Sequence, residues 1–158
     1  MEILGEINWY SKFELAEHQL DRSLNLYLDE KDFISAITLA GVAEEIFRKI
    51  LNKDGQKNAL DEYIESFTAF DNDLKDYEKW FIKHLNYHRD NLKHFEVPHV
   101  KNSPYASDSL STHISIYASA VTDVIFRALK NHSRLNKQTG FYTEKLNTNI
   151  RRFYASEQ

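Results

Sequence analysis

Cysteine is absent from the chain, which excludes a disulfide framework, a thiolate metal site and a thiol nucleophile and suits a reducing cytoplasm. Glycine and proline are nearly absent too, at 4 and 2 residues, so little interrupts regular structure and long helices are expected. No stretch approaches the roughly 18 consecutive apolar residues of a membrane helix. Residues Met1 to Tyr10 carry Glu2 and Glu6 where a secretory leader needs a basic start and an unbroken apolar run. The expectation is a soluble, unprocessed cytoplasmic protein. No glycine-rich phosphate loop, no Gly-x-Ser-x-Gly and no run of alternating strands is present, which argues against a nucleoside-triphosphate fold or a serine hydrolase.

What is present is apolar and charged in ordinary globular proportion: 42% hydrophobic, 13% aromatic and 28% charged over 158 residues. A chain of this size buries most of its unfolded surface in one core. The formal net charge of −4 conceals a split. Residues 1–80 hold 18 Asp+Glu against 9 Lys+Arg, a net −9, while residues 81–158 hold 6 against 11, a net +5. A basic second half suggests a surface able to meet a polyanion such as RNA, the ordinary alternative being a solvated surface with clustered charge.

Periodicity divides the chain into helices. Leu20, Leu24, Tyr27 and Leu28 recur at helical spacing in a first helix of about 11–30, whose exposed side is expected to carry Glu14, Glu17, Asp21 and Arg22. Asp32 is a suitable N-cap for a second helix to about Asn52, closed by Asp54-Gly55. Its arc of Ala36, Leu39, Ala40, Ala43, Ile46, Phe47 and Ile50 marks it as central. A shorter third helix contains Leu60, Tyr63, Ile64 and Phe67, and Phe70-Asp71-Asn72-Asp73 reads as a capped turn.

A fourth helix over about 74–94 aligns Tyr77, Phe81, His84, Leu85, His88, Leu92 and Phe95 toward the core. Pro98 and Pro104 place a loop before a fifth helix of about 109–132, and a more polar sixth spans 137–154. This sixth could pack on the bundle or cover a neighbouring subunit. The expected architecture is all-α: one domain over 1–158, an antiparallel bundle of five to six helices with its core in 11–132.

Two stretches carry candidate chemistry. Arg89-Asp90-Asn91-Leu92-Lys93-His94 sets an arginine and a histidine five positions apart, before the proline loop. Upstream, Ala40-Gly41-Val42-Ala43-Glu44-Glu45-Ile46 is a small-residue helix segment ending in acid. Together these resemble the HEPN superfamily of helical bundles, whose ribonuclease members carry an Arg, a following polar residue and a His at this spacing.

The resemblance implies metal-independent endoribonuclease chemistry without a cofactor, in a homodimeric toxin or defence factor that can be paired with an antitoxin. It assigns Arg89 and His94 as catalytic, and Asp90 and Glu44 as supporting residues. Arg89 would steady the phosphoryl oxygens and His94 would move protons. Lys93, Lys101, Arg151 and Arg152 are candidate RNA contacts.

Positions five apart lie about 140° apart on a helix, so Arg89 and His94 converge only if the helix frays after Leu92 or a two-fold dimer pairs two motifs across one groove. The ordinary readings are a surface ion pair for Arg89, a helix C-terminal cation for His94 and an i,i+4 pair with Arg48 for Glu44. A second match to the spacing, Arg127-Ala128-Leu129-Lys130-Asn131-His132, lacks the polar residue after the Arg.

His84 and His88 have zinc spacing, with His94 or His99 available to complete a site, but Leu85 stands where a metalloprotease needs Glu. Satisfied core histidines are the simpler reading, and no metal is assigned. Two alternatives to the ribonuclease stay open: a non-catalytic HEPN-like dimerisation or partner-binding module, and a helical scaffold whose motif is coincidental.

Overall fold

The structure, a computed structural model, describes residues 9–70, 78–93, 116, 118–139 and 144–158. Within them the chain forms six α-helices that pack into one all-α domain, with no strand among the described residues. These are α1 (Lys12–Asn25), α2 (Phe33–Lys53), α3 (Ala59–Phe70), α4 (Glu78–Lys93), α5 (Ala118–Thr139) and α6 (Glu144–Ser156).

Local capping sets the first boundaries. Ser11 and Glu14 form a reciprocal capping box: the Ser11 amide donates to Glu14 Oε2 at 2.7 Å and the Glu14 amide to Ser11 Oγ at 3.1 Å. Those two bonds hold the Glu14 carboxyl below its ordinary range. The helical run expected to reach residue 30 does so, but its last turn, Leu26–Glu30, is π-helical and ends at Lys31 in a left-handed conformation, φ +55°. Asp32 then caps α2, accepting the Ser35 amide at 3.0 Å, and Gly55 at φ +67° follows its end.

α2 is the central helix, packed along its length against α1 and α5. Ala36, Ala40, Gly41 and Ala43 are buried there, and their small side chains allow close approach of neighbouring backbones. Phe47 and Leu51 complete the buried face with Ile37. Leu20 and Leu24 of α1 meet Val121, Val124, Ile125, Ala128 and Leu129 of α5 in the same apolar cluster. Ser23 adds a buried cross-link, its hydroxyl donating to the Ala36 carbonyl at 2.7 Å.

Three expectations change. Glu17 and Asp21 do not lie on an exposed side of α1; both are buried, because α5 and α6 cover that face. Glu17 meets His132 of α5, and Asp21 accepts the Asn149 side-chain amide of α6 at 2.7 Å. α5 does not end near residue 132 but continues to Thr139. Leu135 is buried about two turns beyond Ala128 on the same face, and it carries the helix through the polar stretch.

The sixth helix begins at Glu144 rather than near 137 and packs back on α1. Leu146 and Phe153 are fully buried there, and the Phe153 ring meets Tyr27 and Phe126 edge-on at 5.6 and 5.1 Å. The turn at 71–73, the proline loop, and Tyr77, Phe95 and residues 109–115 lie outside the described residues. No described helix is long and apolar enough to cross a membrane.

Candidate functional site

α4 carries Arg89 to Lys93 of the first Arg/His motif and packs on α2 and α3. Its backbone places Arg89, Asp90 and Lys93 in the last turns before residue 94. The side chains of those three residues, and those of His84 and His88, lie outside the described set, as do His94, His99 and Lys101 altogether. The convergence of Arg89 and His94, and a fraying of the helix at its end, therefore concern residues outside the description.

Glu44 stands on α2, the helix that α4 packs against. Only 1% of its surface is exposed, so it belongs to the interior rather than to an edge. Arg48 Nε lies 3.6 Å from Glu44 Oε1, close enough for charge attraction but beyond hydrogen-bond range. The expected i,i+4 pairing is present as proximity, not as a hydrogen bond.

The second Arg/His match is consumed by the core. Arg127 is fully buried. Its Nη1 donates to Asn86 Oδ1 at 3.1 Å and its Nη2 to the Leu85 carbonyl at 3.0 Å, both on α4. Asp123 lies 3.4 Å from Arg127 Nε without hydrogen-bond alignment, so it supplies charge while the directional bonds go to α4. Burial pushes the Asp123 carboxyl above its usual range, against the opposing pull of Arg127.

His132 packs against the rings of Phe13 and Phe47, at 5.7 and 5.4 Å, and its Nε2 sits 2.8 Å from Glu17 Oε1. Arg127 and His132 thus point to different partners. They brace α4 and α1 respectively, with no shared cleft.

Three cations of the basic second half meet acids of the first half. Lys130 and Arg134 both bond to Glu62 of α3, and Arg134 also donates to the Lys57 carbonyl at 2.7 Å. The Lys130 bond, with the charge of Arg134 beside it, holds the Glu62 carboxyl below its ordinary range. Arg152 bonds to Asp29, which lowers the aspartate and raises the arginine, and it donates to Asn149 at 3.0 Å. Arg151 is exposed.

A groove of about 440 Å³ between α3, α5 and α6 is lined by Tyr63, Phe126, Leu129, Tyr154 and the two cations that Glu62 binds. It does not include the motif on α4. Among the described residues no group of three metal-ligating side chains comes together.

Sequence reasoning missed Asn86, Glu17 and Asn131 as interior polar groups. Asn86 was the most accessible to it, a lone amide one turn before Arg89. The partners of Glu17 lie more than a hundred positions away, and no local pattern signals such a pairing.

Fold and site together define an all-α helical-bundle protein. The chain finds no match among protein families, curated proteins or solved structures.

Proposed function

We propose that this bundle is a HEPN-like, metal-independent endoribonuclease that acts as a cytoplasmic homodimeric toxin or defence factor, with Arg89 and His94 as its catalytic pair. The observation that carries the reading is the division between the two Arg/His motifs. Arg127 and His132 are buried and committed to separate helices, which removes the second match as a candidate and favours the Arg89 motif. The buried carboxylate of Glu44 on the helix that α4 packs against supports it.

In the proposed reaction the ribose 2′-oxygen bonds to the adjacent phosphorus as the bond to the 5′-oxygen breaks, leaving a cyclic phosphate and a 5′-hydroxyl. The 2′-hydroxyl proton must be accepted and the leaving 5′-oxygen must receive one. Imidazole titrates in the range such transfers need, which suits His94. The guanidinium of Arg89 offers a fixed fork to the phosphoryl oxygens, with Asp90 to orient it.

Glu44 would hold the imidazole in place, and a two-fold dimer would bring two motifs to one groove. Lys93, Lys101 and Arg151 would contact flanking phosphates, and Arg152 would do so after leaving Asp29. An antitoxin is a partner that this class of activity can take.

Purified protein incubated with mixed RNA in EDTA tests the proposal. Arg89→Ala and His94→Ala should each cleave at least about 100-fold more slowly than wild type. Equal cleavage by all three would contradict it, and cleavage that needs added zinc would shift the chemistry to His84 and His88.

A second reading, a non-catalytic partner-binding module, draws on Trp9, Tyr10 and Phe70, whose rings stand exposed at 91%, 62% and 92%. It predicts no cleavage by the wild-type protein in the same assay.

A further inference from the structure

The described side chains of α4 contribute little fully buried apolar surface. Among its described side chains only Asn86 is buried; Phe81, Ile82, Leu85 and Leu92 are half-exposed. Phe81 stacks on Phe67 of α3 with ring centroids 4.0 Å apart, and Leu92 touches the edge of the core. The close neighbours of α4 are α2 and α3, and α5 reaches it through a side chain.

That side chain is Arg127, fully buried and bonded at once to the Leu85 carbonyl and to Asn86 Oδ1. In an α-helix the carbonyl of residue 85 is also the acceptor for the amide of residue 89. The guanidinium therefore grips α4 at the carbonyl that fixes the backbone of Arg89. Two bonds from one planar fork set both the rotation and the height of α4 against α5, which sliding apolar contacts do not.

We infer that Arg127 is a positioning residue, clamping α4 so that Arg89 is presented at the reactive phosphate in a fixed register. The second Arg/His match thus serves the first: its arginine holds the helix that bears the catalytic one. This role in activity rests on the ribonuclease reading above, whereas the clamp itself does not. A displacement of α4 by about 1 Å is enough to cost on the order of 100-fold in rate.

Two variants of the full chain separate these claims. Arg127→Lys keeps the buried charge opposite Asp123 but cannot span both acceptors, and Asn86→Ala removes one acceptor while leaving α5 intact. Native-state hydrogen exchange should show the α4 amides, that of Arg89 included, exchanging at least about tenfold faster in both variants, with α1 and α2 unchanged.

Where RNA cleavage is measured, kcat should fall by about 10- to 100-fold with KM held within about twofold, because the RNA contacts remain while the reacting geometry is lost. A merely structural residue would instead speed exchange evenly across all helices. Unchanged α4 exchange in both variants, or an even rise throughout the molecule, would overturn the clamp. Faster α4 exchange with kcat at the wild-type value would overturn the positioning role. If the wild-type protein cleaves no RNA, the ribonuclease reading fails, and the exchange comparison still decides the clamp.

Discussion

The side chains that decide this molecule are polar and buried. Glu17 and His132 are each about 3% exposed or less and lie 2.8 Å apart, with the imidazole packed against Phe13 and Phe47. Removing one partner leaves the other desolvated without its bond, so Glu17→Ala should lower the unfolding free energy by about 3 kcal/mol in urea denaturation. A loss below about 0.5 kcal/mol would show that the pair is no brace.

Tyr27 offers a spectroscopic test at the same scale. Its burial, and then the hydroxyl it donates to Glu157 Oε1 at 2.9 Å, push its pKa up to about 12. A raised folded value favours the neutral phenol, so the stability it confers is complete below the unfolded value of about 10 and is lost as pH rises through the folded one. The difference in phenolate absorbance between wild type and Tyr27→Phe should titrate near pH 12. A midpoint near 10 would mean that neither burial nor Glu157 acts on it.

Helix boundaries were legible where they depend on local chemistry. Asp32 and Gly55 bracket α2 because capping and left-handed turns are written within a few residues of the boundary. They were illegible where a distant group sets them. The first amide of α3, that of Ala59, donates to Asn131 Oδ1 of α5 at 2.7 Å, a cap supplied 72 positions away. α5 outran its expected end for a similar reason, since Leu135 and Arg134 find their partners in other elements.

α6 is the clearest case of an element made by its contacts. Its sequence is polar, yet Phe153 is fully buried against Tyr27 and Phe126. Phe153→Ala should cost about 3–5 kcal/mol in chemical denaturation, the range for emptying a buried aromatic site. A cost near zero would mean that α6 adds nothing to the fold.

Across the described residues, part of the charge split that suggested a polyanion partner is internal complementarity. Glu62 takes Lys130 and Arg134, Asp29 takes Arg152, and Glu17 takes His132, each an acid of the first half with a base of the second. Composition exposed the asymmetry but not its destination, because pairings between α3 and α5 or between the first helical run and α6 join residues at least 68 positions apart.

The candidate site was legible to the extent that its motif is contiguous in the sequence. The spacing alone could not rank two Arg/His matches; burial commits Arg127 and His132 of the second to the interior. The most direct measurement is RNA cleavage in EDTA by His94→Ala beside its thermal melt. The reading predicts a wild-type melting temperature with cleavage at least about 100-fold slower and the cyclic phosphate product lost. Cleavage at the wild-type rate by that folded variant would contradict it.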